Sequence, residues 1–199
     1  SESNRLTLDE GLKSAVDETC LPIKVYFGHI RELCRQNLDY MFIPRLVSVE
    51  PKSYICPKFM GIPDMVKAAF TDLPPLIDVT IDVSRTDRRL KQDIVRVGNL
   101  FTQDKKKIRK AYIHACQEHY FCSRLAREGY TRAEAIQLWE GKPVDSFSTG
   151  DLNIGVLGHG YSLYDQFISM SLIGRLRKMG CNTFFPESLE QEAVENEAA

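Results

Sequence analysis

Two cysteines each stand beside a proline, Cys20 in Glu18-Thr19-Cys20-Leu21-Pro22 and Cys56 in Ile55-Cys56-Pro57-Lys58. Proline fixes φ and has no N–H to donate, so the first helical turn accepts it where the helix interior does not. Pro22 suits such a turn, so Cys20 precedes a helix, while Cys56 follows a strand, about one βα unit further on. Helices of a βα unit begin at the rim where strands end. That order brings both thiols to the carboxyl rim of a sheet, where open α/β sheets bind their ligands. Thiols at helix N-termini are acidified by the local dipole, which suits metal or iron–sulfur ligation. Two donors do not complete such a site, and free cysteine also serves as a small buried apolar residue.

The bulk numbers bound the rest. A chain of 199 residues with 43% apolar and 27% charged residues holds one large α/β domain, or one domain and part of another. A formal net charge of −1 and the lack of a base-reading motif argue against a nucleic-acid partner. No apolar run approaches the roughly 18 residues of a membrane span. Ser1-Glu2-Ser3-Asn4-Arg5 lacks a signal-peptide core, and six irregularly spaced cysteines read as reduced thiols, so the expected compartment is the cytoplasm.

Ile23, Val25, Tyr26, Ile30, Leu33 and Cys34 form an apolar stripe of helical period from Pro22 to Arg35. Tyr40-Met41-Phe42-Ile43-Pro44, extended by Val47 and Val49, reads as a buried parallel strand. Pro63-Asp64 is expected to open a second helix through Phe70, and Pro75 to Val83 a second strand. The alternation predicts an α/β fold with a Rossmann-like parallel sheet and right-handed crossovers. A helical insertion follows over about residues 86–140. Its first helix, Asp87 to Phe101, carries Leu90, Ile94, Val97 and Phe101 on one face. The second, Asp104 to Arg127, carries Ile108, Tyr112, Ala115, His119, Cys122 and Ala126, and Gly129 closes it. Thr131-Arg132-Ala133-Glu134 is a capping box for a third, through Trp139.

After a polar linker comes a βαβ unit, with a strand Asn153 to Leu157, a helix Leu163 to Met179 stopped by Gly180, and a strand Cys181 to Phe185. The expected division is a first α/β domain over 1–148, a βαβ unit over 149–186 that starts a second Rossmann-like domain, and an acidic tail over 187–199.

The strings Glu18-Thr19-Cys20-Leu21-Pro22-Ile23-Lys24, Gly28-His29-Ile30 and Ile55-Cys56-Pro57 resemble proteins related to the D-component of 2-hydroxyglutaryl-CoA dehydratase. More narrowly, they resemble the branch described as related to acyl-CoA dehydratase activases. Gly155-Val156-Leu157-Gly158-His159-Gly160-Tyr161 with Leu163-Tyr164-Asp165 is similar to the start of that family's second Rossmann-like domain. The resemblance covers most of Glu18 to Pro186, more loosely in the helical middle. It implies a [4Fe–4S] cluster with Cys20 and Cys56 among its ligands, serving low-potential electron chemistry of a dehydratase or reductase type on acyl-CoA thioesters. It also implies an ATP-dependent activase-type electron donor as partner, and it leaves a homodimer open. The family's third cysteine falls in a part of the second domain without a counterpart here, so the chain reads as a fragment that is inactive alone. The rival reading is a Rossmann-like binding or docking module, non-catalytic and without cofactor.

Other residue sets carry weaker signals. Gly158-His159-Gly160, between a strand and a helix, reads either as an anion or substrate site or as a turn that needs glycine. His114, Cys116, His119 and Cys122 lie on one helix, but only neighbours three or four apart share a face, which makes a poor zinc site. Lys105-Lys106-Lys107 with Arg109 and Lys110, and Arg85, Arg88 and Arg89 upstream, read as a solvated face or as an attractor for the phosphates of coenzyme A.

Overall fold

The computed structural model describes residues 2–49, 53–84, 87–144 and 150–188, with backbone alone at 87–90 and 187. The expected boundary at 148/149, Arg85, the side chains of Arg88, Arg89 and Leu90, and the tail beyond Ser188 lie outside the described atoms. Two compact units form, one on Ser3–Tyr112 and one from Ile113 onward.

In the first unit, helix α1 (Arg5–Ser14) is capped by Asn4, whose side chain accepts the backbone N–H of Thr7. It crosses α2 (Leu21–Cys34) at two glycines. A Cβ at Gly11 would stand 1.7 Å from the Lys24 carbonyl oxygen, and one at Gly28 1.7 Å from that of Thr7. Only residues without a side chain allow the two backbones to meet this closely.

Strands β1 (Met41–Phe42) and β2 (Arg45–Ser48) pair in parallel with β3 (Leu76–Ile77) and β4 (Thr80–Asp82). The offset from Met41 to Leu76 equals that from Arg45 to Thr80. Between them, Ile43 N donates to Ile77 O at 3.0 Å and Arg45 N to Val79 O at 2.8 Å. The two short pairs are thus segments of one ladder. Pro44 interrupts it at no cost, because its missing N–H belongs to the side facing away from the partner strand.

The core of this unit sits between that ladder and the helices. Ile23, Phe27 and Ile30 of α2 pack on Met41 and Ile43 and on Ile62, Val66 and Phe70. Each such burial contributes about 1.5–3 kcal/mol, and the Phe27 and Phe70 rings meet edge-on at 5.5 Å.

Helix α3 runs Pro57–Ala69, so the start expected at Pro63 is corrected. Pro57 takes the N1 position, and Pro63 lies inside the helix, fully buried. Its ring fills core space while the carbonyl of Phe59 loses its intrahelical donor. Helix α4 (Asp87–Gly98) stops short of Phe101, which is 67% exposed instead of on the helix's inner face.

Helix α5 (Lys105–Arg127) buries only its ends along the expected stripe. Ile108 and Ala126 are buried, whereas Tyr112, Ala115 and His119 are exposed. Helical period identifies a helix, but it does not say what covers each turn.

In the second unit, α5 ends before Gly129, at φ +95°. The capping box of α6 (Arg132–Trp139) has both of its hydrogen bonds. Strands β5 (Leu152–Gly155) and β6 (Cys181–Phe184) pair in parallel, as a βαβ unit requires. The connecting helix is not continuous. It breaks into α7 (Gly160–Tyr164) and α8 (Leu172–Lys178): α7 ends at Asp165, which is extended, and the chain enters α8 through Met170 and Ser171 at left-handed φ of 52° and 56°. Gly180 closes α8 at φ +79°. Val156, Leu163, Ile173 and Phe185 form the small core.

The architecture is a mixed α/β fold with eight α-helices and parallel strand pairs among the described residues. No described helix is long and apolar enough to cross a membrane.

Candidate functional site

Cys20 is the N-cap of α2 and Cys56 the N-cap of α3, with Pro22 and Pro57 in the respective first turns. Both thiols are exposed. Each cysteine carbonyl accepts the first helical N–H bonds, Cys20 O from Ile23 at 3.1 Å and Cys56 O from Phe59 at 2.9 Å. Neither side chain caps its helix by a hydrogen bond. Pro22 and Pro57 have no N–H, and the amides of Ile23 and Phe59 are taken by the cysteine carbonyls, so few first-turn donors remain open beside the thiols.

The two helix starts share a loop. Lys24 of α2 donates from Nζ to the Asp17 carbonyl at 2.9 Å, and Lys58 of α3 reaches the Glu18 carbonyl at 3.5 Å. Thr19 closes the loop on itself, Oγ1 donating to Val16 O at 2.6 Å. On the other side, Ile55 N donates to Val47 O at 3.1 Å and ties the residue before Cys56 to the strand β2. One lysine from each first turn thus holds the segment that delivers Cys20.

Cys34 is half-buried at the end of α2, and removal from water is the main cause that raises its thiol above the ordinary range, with Asp72 adding to it. Cys181 is buried in β6, and Cys116 and Cys122 lie along α5. No group of three or more histidine, cysteine or acidic side chains that could hold a metal ion occurs among the described residues. His114 instead meets Glu118 at 3.2 Å.

Gly28-His29-Ile30 finds a packing explanation in part. Gly28 is the helix crossing described above, and His29 Nε2 lies 2.9 Å from Ser3 Oγ. Gly158, His159 and Gly160 are exposed at the start of the five-residue α7. His159 is its N-cap, and its ring stacks on Tyr161 at 5.3 Å. A Cβ at Gly160 would meet only Tyr164, at an ordinary 3.8 Å. Lys105, Lys106 and Lys107 are exposed at the start of α5, whose first amides are capped by Asp104 Oδ1, 2.8 Å from Lys106 N.

One feature escaped the sequence. A cleft of about 500 Å³ opens in the second unit between α6, the 163–171 segment and α8. Its walls come from residues up to 47 positions apart (Thr131 to Lys178), so no local motif announces it.

Exposed thiols at the N-caps of two helices, in a chain with short parallel strand pairs, define a mixed α/β protein. The family model described as CoA enzyme activase uncharacterised domain (DUF2229) matches residues 1–189, and the chain belongs to that family. It is a domain of the acyl-CoA dehydratase activase-related kind. No curated protein and no solved structure matches the chain.

Proposed function

We propose that this domain serves low-potential electron transfer in acyl-CoA chemistry, in a protein related to the D-component of 2-hydroxyacyl-CoA dehydratases. In this reading Cys20 and Cys56 are two ligands of a [4Fe–4S] cluster. The observation that carries it is the pair of exposed N-cap thiols whose helices clasp one loop through Lys24 and Lys58. Thiolates are the usual ligands of such clusters, and the helix ends complement their negative charge.

The donor set fits half of a four-thiolate site, so the remaining ligands come from outside this pair, from a further segment or a second copy. A bound cluster supplies one-electron transfer. The chain's own part is positional. Pro22 and Pro57 stiffen the two approaches, the lysines fix the loop, and the ladder β1–β4 sets the rim. The Rossmann-like character of that ladder, the division near 148/149 and an ATP-dependent activase-type electron donor belong to the same proposal. The cytoplasm would keep the thiols reduced.

A second reading is a docking module without cofactor, motivated by the lack of a three-donor metal group among the described residues. Anaerobic reconstitution with ferrous iron and sulfide separates the two. Iron uptake and broad violet absorption that fall in Cys20→Ala and in Cys56→Ala support the cluster. Uptake that neither substitution changes favours the docking module.

A further inference from the structure

The cleft of the second unit has its own chemistry. Ser171, Arg175 and Lys178 follow one another at spacings of four and three, on one face of α8 that lines the cleft. Gln137 of α6 lines it from another element, and Gln166 and Ser169 from the segment between the helices. None of these six side chains has a hydrogen-bond or ion-pair partner among the described residues.

The single carboxylate among the described lining residues is already committed. Glu134 Oε1 accepts from Arg177 Nη1 at 2.5 Å and Oε2 from Thr131 N at 2.7 Å. Arg175 and Lys178 are thus left as uncompensated positive charge beside two hydroxyls and two amides. Two cations three residues apart, with neutral donors around them, match an anion with several acceptor oxygens. The cleft volume lies within the usual range for small-molecule sites.

The backbone adds an independent sign. Met170 and Ser171 both hold left-handed φ, a conformation that strains a residue with a side chain. Strain of this kind collects at ligand clamps, and here it sets Ser171 on the cleft wall.

We propose that this cleft binds the phosphate groups of a small polar metabolite, with Arg175 and Lys178 as the charged contacts and Ser169 and Ser171 as hydroxyl donors.

Inorganic pyrophosphate is the probe, titrated by calorimetry at fixed ionic strength into the whole chain. The wild type is expected to bind saturably. The double variant Arg175→Gln/Lys178→Gln should bind at least tenfold more weakly. Arg5→Gln/Lys13→Gln, with the same change in net charge on the exposed face of α1, should bind as the wild type does. Ser171→Ala, which removes a hydroxyl and no charge, should weaken binding about two- to fivefold. Absence of saturable binding to the wild type overturns the proposal. So does an equal loss in both double variants, which would mean a response to net charge alone, or unchanged affinity in both Arg175→Gln/Lys178→Gln and Ser171→Ala.

Discussion

Arg177 Nη1 donates to Glu134 Oε1 at 2.5 Å, while the other oxygen of the same carboxylate closes the capping box of α6. Both side chains are largely buried, at 16% and 22% exposure. Arg177 also donates to Thr183 Oγ1 at 2.9 Å and to the Gly129 carbonyl at 3.1 Å. One guanidinium therefore joins α8, β6, the end of α5 and the start of α6, in a unit whose apolar core is small.

Two substitutions divide the roles of that carboxylate. Glu134→Ala removes both the cap and the partner of a half-buried cation, and should lower unfolding stability by about 2 kcal/mol. Glu134→Gln can still fill the N3 position of a capping box, so its loss should be about half as large. Urea unfolding of both variants checks the order.

Gly28 is held by sterics where α1 crosses α2. A methyl group there would stand 1.7 Å from Thr7 O, and backbone on both sides cannot yield as a side chain could. Gly28→Ala should destabilise the first unit by about 2–3 kcal/mol or more, read from the denaturation midpoint. Gly174→Ala, inside α8 with nothing within 4 Å of the added methyl, should instead raise stability by up to about 1 kcal/mol.

The ion pair of Lys67 and Asp78 gives a pH dependence. The hydrogen bond from Lys67 holds the Asp78 carboxyl below its ordinary value of 3.8, outweighing partial burial. A carboxyl lowered in the folded state binds its proton more readily when unfolded. Its contribution is present above the ordinary value and is lost as pH falls through the lowered one. Stability below about pH 4 should therefore decline less steeply in Asp78→Asn, as acid unfolding followed by circular dichroism would reveal.

Much of this was readable where the cause is local. The capping box Thr131–Glu134, the glycine stops at Gly129 and Gly180 and the place of Cys20 just before a helix depend on neighbours in sequence. Pro63 misled because proline at a helix start is common, and only the tertiary core explains a buried proline six residues inside α3. The break between α7 and α8 was hidden for another reason. It begins at extended Asp165 and ends at left-handed Met170 and Ser171, where no glycine or asparagine signals the turn. The cleft lined by Arg175 and Lys178 was illegible because long-range packing assembles it.

Thiol accessibility ranks the cysteines. Under a limiting alkylating reagent at neutral pH, the exposed Cys20, Cys56 and Cys116 should label first. Cys34, with its thiol pushed up chiefly by removal from water, and buried Cys181 should lag by an order of magnitude or more. Peptide mass mapping over time reads the order.

The same labelling, repeated after anaerobic reconstitution with iron and sulfide, tests the central claim. Cys20 and Cys56 should become protected together while Cys116 stays reactive, and Cys56→Ala should restore the reactivity of Cys20. If Cys20 and Cys56 stay as reactive with iron and sulfide as without them, the two N-cap thiols do not hold a cluster.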